Sequence, residues 1–382
     1  MAIFLLAVAT YIGLGVLLAA MTPRRVGMPS DLSLALIARS LDATIAVWFF
    51  AVGASIGSFL NVVAYRLPLG RTLGGHSACP YCCTPIAALD NIPVFAWIRL
   101  RGRCRTCHLP ISVQYPLVEL AVGLVFLAVY FTEFGVAGSN LPGSSPSPVG
   151  LGLVWMSVTK LLAIRVLLFV FTLSGLIAAA LMTMHAARPP WSLFACVLAV
   201  VGAASLAMPD VIIVPWWPIG LARSGALPVV DASLTLGLGL VAALLMAALT
   251  LPYLQRVTQP LPWSGALASV GLLVGWQWQP FVTSSILLAT LLGHWTVRSG
   301  WKLTGTLDPV VWSWLGLLVF RAGWSQIEGL VGSHGSHPTW TFVGLSVLAT
   351  IPLAWLVGWN AWRQSGQEVS VTAQVGDHAG VG

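Results

Sequence analysis

Long apolar runs recur along almost the whole length of this chain of 382 residues. A helix of about 20 apolar residues crosses the hydrocarbon core of a bilayer. Only 8% of the residues are charged and 58% are hydrophobic, whereas a soluble domain carries about 25% charged residues. Because so little of the surface can be wetted by water, the sequence predicts an all-α polytopic membrane protein.

The apolar runs predict eight or nine transmembrane helices. The first run has no Lys or Arg ahead of it and no convincing small-x-small cleavage site, which favours a retained anchor helix over a secretory signal peptide. Tryptophans at the edges of the runs are typical of the interfacial belt of membrane proteins. The runs lie at 2–21, 43–65, 114–131, 162–184, 192–209, 232–252, 264–293 (one long or broken span), 307–321 and 340–361.

One stretch, 66–112, is too polar to lie in lipid. It contains six arginines and a single acid, Asp90. The positive-inside rule therefore predicts that this loop is cytoplasmic. The formal net charge of +7 is interpreted as a topology signal, and we expect no nucleic-acid partner. A loop rich in Gly, Ser and Pro at 135–150 and a polar tail at 364–382 are predicted to be disordered.

Four cysteines in the polar loop form two pairs, Cys79-x2-Cys82 and Cys104-x2-Cys107, with 21 residues between them. This spacing is typical of a four-thiolate zinc site, in which each pair forms a tight knuckle. Bound metal supplies folding energy to a domain too small for a hydrophobic core. The alternative is two disulfides, which a reducing cytoplasm disfavours. We therefore predict a small zinc-knuckle domain with these four ligands.

Other metal-binding side chains lie close to the two pairs. Cys83, His76 and His108 are alternative ligands or solvated neighbours, and for the two histidines a place beside the ligands or in solvent is favoured. Cys196 lies inside an apolar run and is interpreted as a small core residue.

Six short motifs between positions 57 and 120 resemble, in order, the amino-terminal domain of bacterial type IV prepilin peptidases. The resemblance implies an inner-membrane aspartic endopeptidase that cuts the leaders of type IV pilin or type II secretion pseudopilin precursors. Many members also methylate the new amino terminus with S-adenosylmethionine, a role associated with the cysteine-bearing domain. The motifs are Gly57-Ser-Phe-Leu-Asn-Val-Val-Ala-Tyr-Arg-Leu-Pro68, Cys79-Pro-Tyr-Cys82, Asp90-Asn-Ile-Pro93, Arg101-Gly-Arg-Cys-Arg-Thr-Cys107, Pro110-Ile-Ser112 and Tyr115-Pro-Leu-Val-Glu-Leu120.

Three polar residues, Arg66, Asp90 and Glu119, match polar positions of these motifs and are carried over as candidate functional residues. Glu119 lies near the start of a predicted span, and the arginines of the loop are its candidate partners.

The protease chemistry of the resembled family needs two aspartates that share a proton, so that one activates water while the other donates to the carbonyl. Met208-Pro209-Asp210 resembles the run that follows the first aspartate, and Gly275-Trp276-Gln277 resembles the helix that follows the second. Counting back places Gly202 and Trp263 at the aspartate positions. A second alignment places Thr183 at the first position. None of these side chains is acidic, and the chain contains no Gly-x-Gly-Asp.

Two other acids, Asp210 and Asp231, form a candidate displaced catalytic dyad, since an ionisable group at membrane depth is a functional hypothesis. The alternative is structural, because carboxylates favour helix amino-termini. Asp308 beside Pro309 has the same two interpretations.

Three functions compete. The first is a divergent prepilin peptidase, with or without methyl transfer, and the second is a catalytically inactive relative that binds pilin precursors or secretion components. A transporter is third, but the two halves show no duplicated pattern. The predicted domains are an anchor helix and loop at 1–42, a prepilin-peptidase-like domain at 43–120, a divergent membrane bundle at 121–293 with an insertion near 130–190, additional membrane helices at 294–363, and the tail at 364–382.

Overall fold

The structure, a computed structural model, describes residues 32–134, 160–212, 228–297, 308–323 and 343–360. Within these ranges the chain is helical, with two isolated β-bridges and no strand, which confirms the all-α prediction. A short helix, Phe95–Arg99, lies in the polar loop. The long helices are α1 (Leu32–Arg66), α2 (Gln114–Val129), α3 (Lys160–Met184), α4 (Trp191–Ala207), α5 (Pro228–Leu254), α6 (Pro260–Val297), α7 (Ser313–Ala322) and α8 (Val343–Asn360).

Five helical segments in the described ranges are long and apolar enough to cross a membrane. Two shorter apolar helices, Trp191–Ala207 and Pro309–Ala322, match further predicted runs. The run predicted as one long or broken span is interrupted at Gly275, where φ is 70° and ψ is 170°. The total of eight or nine spans remains a prediction, and the run 2–21 lies outside the described residues. The five segments are Arg39–Leu69, Gln114–Phe134, Lys160–Met184, Val229–Leu254 and Val343–Asn360.

The chain divides into two compact units, Met1–Leu167 and Leu168–Gly382. In the first unit, α1 packs against α2 through glycines. A Cβ atom at Gly53 would lie 2.6 Å from Cβ of Phe126, and one at Gly57 would lie 2.9 Å from Cα of Glu119. Gly53 and Gly57 form a small-xxx-small motif, which lets membrane helices approach closely. The polar loop connects the carboxyl end of α1 to the amino end of α2.

The second unit is built around α6, which contacts α4, α5 and α7. Helices α5 and α6 pack closely, since a Cβ atom at Gly239 would lie 2.5 Å from the carbonyl oxygen of Gly271. Trp263 and Trp278 of α6 are fully buried in this unit. The predicted domain boundaries at 42/43, 120/121, 293/294 and 363/364 remain predictions.

Candidate metal centre

The four cysteine sulfurs of the polar loop lie together, all within 4.8 Å of one another. The Sγ atoms of Cys79 and Cys107 are 3.8 Å apart, and those of Cys82 and Cys104 are 4.0 Å apart. Tetrahedral zinc with Zn–S bonds of about 2.3 Å requires sulfurs about 3.8 Å apart. The donor set and its spacing therefore fit a metal such as zinc, as the sequence predicts.

Each cysteine pair lies in the same kind of turn. The amide of Cys79 donates to the carbonyl of Thr84 at 3.0 Å, and the amide of Cys104 donates to the carbonyl of Leu109 at 2.9 Å. Isolated bridges Ala78↔Pro85 and Arg103↔Pro110 close the two turns. The two halves of the zinc-knuckle domain are thus repeats of one knuckle.

The alternative ligands lie outside the sulfur cluster. Cys83 and His108 occupy equivalent turn positions, directly after the second cysteine of each pair, with φ of 54° and 60°. Their side chains are exposed, and so is that of His76. Among the described residues, the group able to hold a metal consists of the four predicted cysteines.

Asp90 connects the second knuckle to the helical part of the polar loop. Its carboxylate accepts two hydrogen bonds from Arg105 and one from Arg99, all at 2.6 Å. The Asp90 side chain is only 5% exposed. The hydrogen bond from Arg105, with that from Arg99, holds the pKa of the Asp90 carboxyl below its usual range. A two-pronged arginine–carboxylate pair fixes orientation as well as distance, so Asp90 positions the knuckle.

The other two motif residues also stabilise the loop backbone. Glu119 accepts a hydrogen bond from the amide of Val94 at 2.7 Å, where φ is 63°. The expected arginine partner of Glu119 is therefore replaced by a backbone amide. Nη1 of Arg66 donates to the carbonyls of Thr72 at 3.3 Å and Gly74 at 2.6 Å.

Local hydrogen bonds prepare two of the thiols for metal binding. Hydrogen bonds from Thr84 lower the pKa of the Cys82 thiol to about 6. The backbone amides of Cys107 and Thr106 lower the pKa of the Cys104 thiol. Since metals bind the thiolate, these bonds favour binding at Cys82 and Cys104. At Cys107 the hydrogen bond from Leu109 is outweighed by burial and the neighbouring thiols, which raise the pKa of that thiol to about 11.

The two candidate dyad acids lie on neighbouring elements of the second unit. Asp210 is exposed in the short 3-10 helix Pro209–Val211, which contacts α5. Asp231 is half-buried in the first turn of α5. Their catalytic role remains a prediction. The carboxylate of Asp308 accepts from the amide of Val310 at 3.0 Å, which matches its structural interpretation as a helix cap.

The residues aligned with the family aspartates differ in their surroundings. Trp263 is fully buried and its indole N–H donates to Oγ1 of Thr250 at 2.8 Å. A Cβ atom at Gly202 would have nothing within 4 Å. Thr183 lies in the last turn of α3 and donates to the carbonyl of Ala179 at 2.9 Å.

Sequence reasoning missed two features that hold the loop in place. The indole N–H of Trp97 donates to the carbonyl of Ile111 at 3.0 Å and the ring lies against Gly102. No sequence signal marks that contact. The glycine motif of α1, Gly53 and Gly57, could have been found from the spacing of small residues in an apolar run.

Comparison with known proteins finds a family model that matches part of the first unit. Residues 51–133 match the family model described as the bacterial peptidase A24 N-terminal domain. The prepilin leader peptidase/N-methyltransferase of Myxococcus xanthus (strain DK1622) is 51% identical over 84 residues, which are 22% of this chain and 25% of the relative. That of Pectobacterium carotovorum subsp. carotovorum is 43% identical over 106 residues, 21% of this chain and 38% of the relative. That of Klebsiella pneumoniae is 40% identical over 124 residues, 30% of this chain and 50% of the relative.

The chain thus spans between a quarter and a half of the length of these curated relatives. No solved structure matches it. The matched segment contains both knuckles, Asp90 and Glu119, and it ends before the second unit begins. Residues 51–133 are thus similar to the amino-terminal domain of bacterial A24 peptidases, the class of domain that this chain shares with the prepilin leader peptidases/N-methyltransferases it matches.

Proposed function

We propose that this protein is an inner-membrane relative of the prepilin peptidases that binds type IV pilin or type II secretion pseudopilin precursors without cutting their leaders. The observation that carries the proposal is Trp263. Its buried indole occupies the position aligned with the second family aspartate, and its N–H bonds to Thr250. An indole neither activates water nor shares a proton with a carboxylate, so proton transfer at this position is lost.

The first aspartate position is also without an acid in either alignment. Gly202 has no side chain, and Thr183 has a hydroxyl that bonds to its own helix. The alignment with Gly202 would require this residue to lie near Trp263, at the start of α6. Packing argues against it, because the start of α6 contacts the first turn of α4, where Phe194 lies against Gly265. Gly202 lies eight residues farther along α4, about 12 Å from Phe194 at 1.5 Å per residue. Whichever alignment is used, the first position has no carboxylate to share a proton.

The zinc-knuckle domain supports precursor binding. The module in the matched segment is intact: it has the four cysteines, the ion pairs of Asp90, and the hydrogen bond from Val94 to Glu119. In our proposal this loop is cytoplasmic, where it meets the precursor before the leader is cut. Methyl transfer from S-adenosylmethionine needs a free amino terminus, so a protein that does not cut depends on a separate peptidase for that substrate.

A second candidate function is a cleaving enzyme with the displaced dyad Asp210 and Asp231. The contact between the 3-10 helix of Asp210 and α5 favours it, because Asp231 lies in the first turn of α5. A dyad of this kind cuts only if both carboxylates reach one water.

Co-expression with a prepilin, in a host that lacks its own prepilin peptidase, separates the two functions. The tagged protein is purified, and the mass of the co-purified pilin shows whether the leader is present. We expect capture of uncut precursor by the parent and by Cys83→Ser, and loss of capture in Cys79→Ser/Cys104→Ser. Leader loss in the parent that disappears in Asp210→Asn or Asp231→Asn would establish the second candidate and overturn the first. Neither capture nor cutting would overturn both.

A further inference from the structure

A cavity of about 310 Å³ lies where α1 meets the polar loop. Its α1 wall includes Ser55, Phe59, Val62 and Arg66, which recur every three or four residues and therefore share one helix face. Ser55 is about 16 Å from Arg66 along the helix axis. In a bilayer crossed by the candidate span Arg39–Leu69, a wall of this length would reach from the membrane surface to the upper acyl chains.

The polar part of the cavity offers hydrogen-bond donors and no acid. Nη1 of Arg66 is held by the carbonyls of Thr72 and Gly74, while Nε and Nη2 have no partner in the described ranges. The side chains of Ser77 and Asn91, on the opposite wall, likewise have no partner there. A guanidinium fixed on one nitrogen presents its other donors to a phosphate or carboxylate. The chemistry is therefore that of an anion site.

The rest of the lining has an apolar wall, with the hydroxyls of Ser55 and Ser58 beside it on α1. Phe59 is 51% exposed, and Val62 lies one turn closer to Arg66. Leu73 and Pro93 of the loop complete this wall. A small soluble anion would leave this wall in contact with water, whereas an acyl chain would cover it.

We propose that this cavity binds an anionic phospholipid of the surrounding membrane. Its phosphate lies at the free edge of Arg66, near Asn91 and Ser77, and one acyl chain lies along Val62 and Phe59. The loop that frames the site has six arginines against one acid, a charge that favours an anionic over a zwitterionic headgroup. The lipid site belongs to the first unit and does not depend on whether the protein cuts, binds or releases a precursor.

Native mass spectrometry of the full-length protein tests this site. The protein is reconstituted into nanodiscs with equal parts of phosphatidylglycerol and phosphatidylcholine, and the lipids it retains after release are counted. We expect retention of phosphatidylglycerol, reduced about tenfold in Arg66→Gln because a charge-assisted contact is lost. Arg71→Gln, an exposed arginine of the same loop that does not line the cavity, retains lipid like the parent.

A second variant separates lipid binding from the folding of the loop. Ser58→Phe fills the cavity from the α1 wall and leaves the Arg66 bonds intact; we expect it to lose lipid while its zinc content is unchanged. Equal retention of the two lipids, or equal retention by Arg66→Gln and Arg71→Gln, would overturn the proposal. Displacement of phosphatidylglycerol by excess inorganic phosphate would instead identify a site for soluble anions, which also overturns it. Precursor capture is not part of the readout, so either proposal can fail alone.

Discussion

At the scale of single residues, the zinc-knuckle domain stores backbone strain. Cys83 and His108 adopt positive φ at equivalent turn positions, a conformation that glycine adopts without steric cost. Relief of a penalty of about 1–2 kcal/mol exceeds the extra backbone entropy of glycine, about 0.5–1 kcal/mol. We therefore expect Cys83→Gly and His108→Gly each to stabilise the domain by up to about 1 kcal/mol. Thermal unfolding of the metal-loaded protein measures the change. Thr106→Gly, at a turn position without positive φ, is the control and should destabilise; stabilisation by all three changes would contradict the strain argument.

Gly102 is the opposite case, because glycine is required there. Its φ is 69°, and a Cβ atom would lie 2.8 Å from the ring of Trp97. We expect Gly102→Ala to destabilise the domain by about 1–3 kcal/mol, from the φ penalty and the clash together. Gly70 has φ of 64° but nothing within 4 Å of a Cβ atom, so Gly70→Ala measures the φ penalty alone. Equal losses of thermal stability in the two variants would show that the Trp97 contact does not matter.

The ion pairs of Asp90 with Arg99 and Arg105 predict that the stability of the domain depends on pH. The pKa of Asp90 is lowered in the folded protein, chiefly by the hydrogen bond from Arg105. Its contribution to stability is therefore complete above the unfolded-state pKa of about 3.9, and is lost as the pH falls through the lower folded-state value. We expect the gap in unfolding temperature between parent and Asp90→Asn to be constant from neutral pH to about pH 5 and to close below pH 4.

Comparing parent with variant at each pH removes the titration of the thiols from the measurement, because both proteins carry the same four cysteines. Arg71→Gln, which removes an arginine outside the Asp90 cluster, should show no such closing gap. A gap that persists at the lowest pH would contradict the assignment of the stabilising charge to Asp90.

The metal ligands were predictable from sequence for a physical reason. Two residues between paired cysteines allow both sulfurs to reach one ion, so the spacing carries the geometry. The partners of Asp90 and Glu119 were not predictable in this way. The Asp90–Arg105 and Glu119–Val94 contacts join residues 15 and 25 positions apart, and no local pattern selects one arginine or one backbone amide among many.

At the scale of elements, the apolar runs predicted where the described helices lie but not which helices pack together. Lipid tails are as apolar as leucine, so hydropathy does not encode helix partners in a membrane. Small residues do, as α1 shows through Gly53 and Gly57 against α2. The same rule explains why Gly239 and Gly271 join α5 to α6.

This packing predicts that Gly53→Leu separates α1 from α2. The new side chain would overlap Phe126, whose Cβ lies 2.6 Å from the place that a Cβ atom at position 53 would take, at a cost of about 1–3 kcal/mol. Because the two helices hold the ends of the zinc-knuckle domain, we expect lower thermal stability together with faster zinc loss to a chelator. Gly74→Leu, in open space within the same unit, is the control; equal behaviour of the two variants would show that the glycine contact is not needed.

At the scale of the whole molecule, the two units differ in how much their sequences reveal. The first contains the segment that matches the family, residues 51–133, and six motifs predicted both its resemblance and its metal site. The second resembles the family through short runs around Asp210 and Gly275, and in our proposal the acids that the family's chemistry needs are replaced. Since a fold carries an activity only through its site, the function of the second unit could not be predicted from the motifs of the first.

The division into units makes a last prediction, that the metal centre does not need the second unit. In the first unit α1 packs against α2 and the polar loop bonds to both helices, through Arg66 and through Glu119. We therefore expect residues 1–148, the first unit without its last 19 residues, to insert into membranes and to bind one zinc ion per chain when produced alone, while residues 149–382 bind none. Metal analysis after gel filtration measures both, with Cys79→Ser/Cys104→Ser in the fragment as the control. Zinc in the full chain but not in a monodisperse fragment would mean that the second unit completes the site. Zinc in the fragment would instead show that the segment matching the A24 N-terminal domain folds and binds metal by itself, whatever the sequence of the second unit.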